Sequence, residues 1–266
     1  MLIALVLPGA IFFIAFFAIP MTKLFVLGGS GALGWSAYLA MLTDVRYFKS
    51  MVATITLSVV TTVITLLIAG VSGVFLARQE FKGKAWLTAM LTLPLAFPGV
   101  VIGFMVIMLG GRLGLIPTIS QQLIGQSWVF AYSMVGLLVG YVYFSIPRTI
   151  LTVMAAAEKL DPQLLEAARS LGANSWELVR DIIIPALKPA LLAAGAICFA
   201  TAMGAFGTAF TLATKINVLP MIIYTEFTLS ANIAMAAALS FVLGLVTWAA
   251  LAFARSLTGN QVSAAA

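Results

Sequence analysis

Six long apolar runs, at about residues 2–27, 52–77, 85–110, 128–154, 188–213 and 231–255, leave this chain one class of fold. Each is long enough to cross a hydrocarbon core of roughly 30 Å, which takes about 20 residues of helix. The runs do not alternate with period two, so they do not fit the strands of a barrel. Charged residues make up only 8% of the 266 positions, against about a quarter in soluble domains. The expected fold is all-α and polytopic: a single transmembrane domain over 1–266 with six transmembrane helices. Pro8, Pro20, Pro94 and Pro98 fall inside the runs and are expected to bend or break helices, since proline lacks a backbone donor. Gly195, Gly204 and Gly207 are expected to let helices pack closely. The first run begins at Leu2 without a basic head and reads as a span, not a secretory signal peptide.

Composition also excludes several chemistries. The chain has no histidine, which removes histidine proton relays and histidine metal sites. Cys198 is alone in an apolar run and reads as a small buried hydrophobe. The net charge of +6 is no sign of nucleic-acid binding, because basic residues in membrane proteins mostly flank spans and set orientation. A phosphate-binding loop of the GxxxxGKS/T type is absent. None of the eight carboxylates falls in an expected span: Asp44 and Glu226 lie on one side and the other six on the opposite side. Proton-coupled pumps and intramembrane hydrolases use such groups. The chain therefore reads as a transport pathway with no catalytic residue, metal or cofactor of its own and no visible energy source. A secondary carrier and a non-transporting membrane scaffold are the alternatives from other classes.

Charge sets the expected orientation. Residues 78–84 carry three basic groups in seven, the long polar connector adds Arg148, Lys159, Arg169, Arg180 and Lys188, and Arg255 follows the last run. That is nine on one side; Lys23, Arg46, Lys49, Arg112 and Lys215 make five on the other. The positive-inside rule makes the nine-residue side cytoplasmic, with both termini. The outer loops are then 28–51, opening on a flexible Gly28, Gly29, Ser30 and Gly31, then 111–127, and then 214–230 with Glu226.

The polar connector, 158–187, stands out in so oily a chain: 10 of the 22 charged residues lie between Arg148 and Lys188. Asp161 is placed to cap a helix, with Pro162 at its first position. The helix should run Gln163–Leu171 and end at Gly172 in the left-handed conformation. Asn174 and Glu177 have capping-box spacing and start a second helix, which Pro185 and Pro189 should disrupt near the membrane. Two short helices with a hinge suit insertion into a cleft of a soluble protein. Spacing alone leaves open an amphipathic loop lying on lipid.

The connector resembles the cytoplasmic signature of the permeases of binding-protein-dependent ABC importers of type I fold. That signature is EAA, three residues, Gly, nine residues, Ile, one residue, Leu-Pro. Here Glu166, Ala167, Ala168, Gly172, Ile182 and Pro185 match, and Ile184 stands where leucine is usual. LPLAFPGVVIG at 93–103 looks like the Pro-rich third span of the same family, and residues 204–227 are similar to the spermidine/putrescine permease branch. The resemblance implies that the first connector helix is a coupling helix seated in a cytoplasmic ABC ATPase dimer, which binds ATP and Mg. Glu166, Ala167, Ala168, Arg169 and Gly172 are its expected contact residues. It also implies a second homologous permease, a heterodimer being favoured, a periplasmic binding protein, a location in the bacterial inner membrane and a polyamine-like cargo. Iron(III), an oxyanion or another small solute is the alternative cargo. Met203, Phe206, Thr208 and Thr211 on the fifth span are the expected pathway residues, as a gate or as helix packing.

Overall fold

The computed structural model describes residues 2–212 and 216–258, and among them the secondary structure is helical. The end of the expected 188–213 span, Lys215 of the outer basic set and the chain's C-terminal end lie outside the described residues. In chain order the helices are α1 (Leu2–Phe13), α2 (Ile19–Gly28), α3 (Ala40–Thr43), α4 (Val45–Arg78), α5 (Lys84–Thr92), α6 (Gly99–Gly110) and α7 (Leu115–Ile124). Then come α8 (Met134–Glu158), α9 (Pro162–Ser170), α10 (Ser175–Glu177), α11 (Ile184–Met203), α12 (Gly207–Leu212), α13 (Leu219–Thr228) and α14 (Ile233–Thr258). Among the described residues, six helical stretches are long and apolar enough to cross a membrane: Val6–Gly28, Val45–Arg78, Gly99–Ile124, Met134–Glu158, Ser175–Met203 and Ile233–Ser256.

Prolines explain where these stretches depart from the expected spans. The run 85–110 is not one helix: α5 gives way to a 3-10 turn at Leu93–Ala96, Phe97 is extended, and α6 starts after Pro98. A residue before proline is pushed out of the helical region, which is what Phe97 shows. Pro20 and Pro185 do not break their helices. Each follows a π turn and one isoleucine, at Ile14–Ala18 before Ile19 and at Leu178–Ile183 before Ile184. The wider i→i+5 bonding of a π turn absorbs the donor that proline removes four residues on. Pro189 also stays inside α11. The second connector helix is therefore not short; it runs from Ser175 without interruption to Met203.

The fifth expected span, 188–213, is displaced. Its helix ends at Met203, residues 204–206 are non-helical, and α12 begins at Gly207. The outer loop expected at 214–230 holds α13, and the one at 111–127 holds α7. The second span begins seven residues earlier than expected, at Val45 rather than 52, because Asp44 Oδ1 accepts from Arg46 N at 2.7 Å and starts the helix.

The chain divides into two compact units, one made of the residues up to Ile55 with Asn217–Trp248, the other of Thr56–Ile216 with the residues from Ala249 on. In the first unit the glycines at 28–31 are packing sites and not a flexible start. A Cβ on Gly28 would run into the Tyr38 hydroxyl and reach 3.0 Å from Ala238 Cα. The Tyr38 hydroxyl donates to the Phe25 carbonyl, and Phe25 packs on Trp35 and Phe241 at 5.2 and 5.0 Å between ring centroids. Glu226, expected in a loop, is 4% exposed on α13. Its Oε1 accepts from Arg46 Nη1 at 3.2 Å and from the Tyr47 hydroxyl at 3.1 Å. Thr54 Oγ1 accepts from Leu219 N at 2.8 Å and fixes the start of α13.

Glu226 is buried while Arg46 is half-exposed, so losing the cation strands a carboxylate in the interior. Arg46→Ala should cost about 2 kcal/mol in thermal unfolding of the purified protein in detergent. Adding Glu226→Gln should restore part of it, since the neutral amide still bonds Tyr47. A double variant no more stable than Arg46→Ala would refute the buried pair.

Candidate functional site

Two places in the second unit combine exposed or cavity-lining polar groups with defined geometry. The first is α9. Asp161 accepts from Gln163 N at 2.9 Å and Pro162 opens the helix. Its C-terminus closes with Gly172 N donating to Arg169 O at 2.9 Å and Ala173 N to Ala168 O at 3.0 Å. That paired closure is the Schellman motif, and it needs a left-handed residue. Gly172 supplies it with φ of +92°, in open space where a Cβ would meet nothing within 4 Å. Backbone conformation alone thus demands glycine. The capping box follows: Asn174 Oδ1 accepts from Trp176 N and Glu177 N at 2.9 and 3.0 Å, and Glu177 Oε2 accepts from Asn174 N at 2.7 Å.

The structure gathers the expected contact residues on this helix. Glu166, Ala167 and Arg169 are exposed and Ala168 is half-buried, while Leu165 turns inward. α9 packs on the π turn Leu178–Ile183, whose Leu178 is also buried. Three large apolar side chains at this polar end stay uncovered: Leu164 at 54%, Leu171 at 89% and Trp176 at 68% exposure. Sequence reasoning passed over them because apolar residues in so apolar a chain carry no signal until their neighbours are polar and their faces are open.

The second place is where α6, α8, α11 and α12 meet. The non-helical residues 204–206 face the start of α6, and a cavity of about 420 Å³ opens there. It is lined on α8 by Tyr141, Phe144, Ser145 and Arg148, and elsewhere by Gly99, Thr201, Ala205 and Thr208 among others. The α8 residues follow i, i+3, i+4, i+7 spacing and so share one helix face. The breaks are stitched by specific bonds. Thr208 Oγ1 donates to Gly99 O at 2.9 Å, Thr211 Oγ1 lies 3.3 Å from Val100 O and 3.0 Å from Gly207 O, and the Tyr141 hydroxyl donates to Ala205 O at 2.6 Å. Of the four expected pathway residues, Thr208 lines the cavity. Phe206 lies in the break beside it, 5.3 Å from the Phe210 ring. Met203 is fully buried in the packing, and Thr211 faces α6. Arg148, counted with the cytoplasmic connector, sits inside α8 instead. The signal was present: a charge, with hydroxyls one turn either side, inside an apolar run.

Similarity to known proteins bears on what these features serve. Residues 69–260, most of the chain, match the family described as binding-protein-dependent transport system inner membrane component. The chain belongs to that family. Among its relatives, the chloroplastic sulfate permease 2 of Chlamydomonas reinhardtii is 30% identical over 185 residues, 70% of this chain and 49% of that one. The molybdenum transport system permease protein ModB of Escherichia coli K12 is 32% identical over 154 residues, 56% of this chain and 66% of ModB. PhnU of Salmonella typhimurium LT2, named for 2-aminoethylphosphonate transport, is 26% identical over 239 residues, 87% of this chain and 84% of PhnU. The match thus spans about half to four-fifths of these relatives' lengths. A chain of a bacterial alginate ABC transporter, solved with an alginate pentasaccharide-bound periplasmic protein, superposes with a TM-score of 0.83 at 19% identity. The superposition covers 97% of this chain and 95% of that one, so this member of the binding-protein-dependent transport family has that transporter chain's fold.

The stitching at the cavity depends on contacts too close for a side chain. A Cβ on Gly103 of α6 would lie 2.5 Å from Thr211 Cβ of α12. Gly103→Ala should therefore destabilise by about 1–3 kcal/mol, read as a lowered midpoint of thermal unfolding in detergent. Gly103→Ala with Thr211→Gly, which removes the facing Cβ but also the Thr211 hydroxyl's bonds, should recover only part of the loss. An unperturbed single variant would show that α6 and α12 are not in this contact.

Proposed function

We propose that the chain is the membrane permease subunit of an ATP-driven ABC importer, a non-catalytic component of the bacterial inner membrane. In this reading α9 is the coupling helix. It docks into a cytoplasmic ABC ATPase dimer, which binds and hydrolyses ATP with Mg. A second homologous permease, a different chain rather than a second copy, completes the pathway, and a periplasmic binding protein delivers the solute. Both chain ends lie on the cytoplasmic side. The observation that carries the reading is the presentation of α9: capped at both ends, held on the start of the long Ser175–Met203 helix, and flanked by uncovered Leu164, Leu171 and Trp176. A rigid helix with an open apolar and charged face suits a protein groove better than bulk water. Family membership over residues 69–260 supports the same reading.

The cargo is the finer question. A polyamine, which the likeness of residues 204–227 implies, calls for anionic groups along its route. Both outer carboxylates are engaged: Asp44 caps α4 and Glu226 is buried against Arg46 and Tyr47. The names of relatives at 26–32% identity point to sulfate, molybdenum and 2-aminoethylphosphonate. These observations favour the oxyanion alternative over a polyamine.

Two outcomes follow in the reconstituted importer. Glu166→Lys should leave the permease inserted and reduce ATP-driven uptake about tenfold or more, the size of a lost charged contact. Gly172→Asn should transport less than wild type, and Gly172→Val least, because a β-branched residue fits φ near +92° worst. Full uptake by Glu166→Lys, or by Gly172→Val, would contradict docking through α9. Topology is checked separately with Cys198→Ser and a single cysteine at Gln79 or at Gln126, both exposed. A membrane-impermeant thiol reagent should label position 126 from outside intact cells and position 79 only after permeabilisation; labelling of both from outside would contradict the orientation.

A further inference from the structure

We propose that Arg148 and Ser145 form an anion-binding station inside the cavity between α6, α8, α11 and α12. It rests on the importer reading and assigns the class of cargo to specific side chains. Arg148 lies ten residues before Glu158, the end of α8, or roughly 15 Å along the helix axis. It falls inside the expected span 128–154, six residues from its end. A charge inside a span is costly and faces an aqueous route or a partner. Arg148 is exposed and lines the cavity of about 420 Å³. With Ser145, Thr149, Thr152 and Thr201 it also lines a narrow pocket beside it. Among the described residues it pairs with no carboxylate. Its guanidinium stands 5.8 Å from the Phe144 ring.

The surrounding hydroxyls decide the sign of the ligand. Tyr141, Thr149, Thr201 and Thr208 already donate to backbone carbonyls. Ser145 Oγ, one turn from Arg148, makes no hydrogen bond among the described residues, though Ser145 is only 8% exposed. The donors left open to the cavity are therefore the guanidinium and one hydroxyl, and no acidic residue lines it. A cation would be repelled there, and a neutral sugar would leave the guanidinium without a counter-charge. An oxyanion meets both donors, because the guanidinium fork matches two oxygens of a sulfate, molybdate or phosphonate group. The volume lies within the ~300–1,000 Å³ of small-ligand pockets.

The test uses the importer assembled with its ATPase, second permease and binding protein in proteoliposomes. ATP-driven uptake of sulfate, molybdate, 2-aminoethylphosphonate and spermidine is measured for wild type, Arg148→Gln, Arg148→Lys and Ser145→Ala. Wild type should carry at least one anion and no spermidine. Arg148→Gln should lower that uptake about tenfold or more, Arg148→Lys should restore part of it, and Ser145→Ala should lower it less. Anion uptake at the wild-type rate by Arg148→Gln, or uptake of spermidine by wild type, overturns the assignment while leaving the importer reading intact. Loss of the second permease from purified Arg148→Gln complexes gives Arg148 to a subunit contact and overturns it too. Absence of ATP-driven uptake of every probe overturns the importer reading, and this site with it.

Discussion

Backbone groups freed inside a bilayer find no water, so a broken membrane helix survives only where protein groups meet the loose ends. That constraint governs the second unit of this chain. The breaks at Phe97–Pro98 and at residues 204–206 are held by specific bonds: Thr208 donates to Gly99 O just after the first, and Tyr141 of the unbroken α8 donates to Ala205 O in the second. Gly103 and Gly207 bring α6 and α12 close enough for the first of these bonds, since a Cβ on Gly207 would lie 3.0 Å from Val100 N. The cavity is the consequence. Two helices interrupted at the same place cannot fill the space that continuous helices fill.

The same helices link this cavity to the polar end of the molecule. α9 packs on the π turn Leu178–Ile183, and that turn continues without interruption into α11, whose last residue, Met203, borders the break. The stretch from Ser175 to Met203 holds 29 residues, roughly 44 Å of helix at the ordinary rise. On the proposed reading, a displacement of α9 reaches the cavity through a rigid rod. Gly172 is not a soft joint in this path; its positive φ closes a fully bonded helix end. What the ATPase would bias is a two-state packing of α6, α11 and α12, because packed helices shift between discrete arrangements and do not bend continuously.

Much of this was legible in the residues. Apolar length alone predicts six spans, and six helical stretches of the required length and hydropathy are present among the described residues. Local capping chemistry reads directly: Asp161, Pro162, Gly172, Asn174 and Glu177 take the positions that their side chains predict. What did not read was decided by distant partners. Pro98 breaks its helix while Pro185 does not, and Pro185 follows a π turn that no single-residue preference reports. The break after Met203 is met by Tyr141, 64 positions away from Ala205, whose hydroxyl donates to the Ala205 carbonyl. Glu226 looked like a free outer carboxylate and is held by Arg46 and Tyr47, some 180 positions distant. Arg148 was misplaced by assigning charge to the nearest polar connector, although the apolar run around it already marked it as intramembrane.

The central claim is that the cavity belongs to a pathway whose opening follows the ATPase. Thr201 lines both the cavity and the pocket beside it. A cysteine there, with Cys198→Ser, gives a direct measure in the assembled importer: the rate of labelling by a membrane-impermeant thiol reagent applied from each face, with and without nucleotide trapped on the ATPase. The account predicts access from the cytoplasmic face without nucleotide and from the outer face with it. Equal labelling from one face in both states, or no labelling in either, would contradict it.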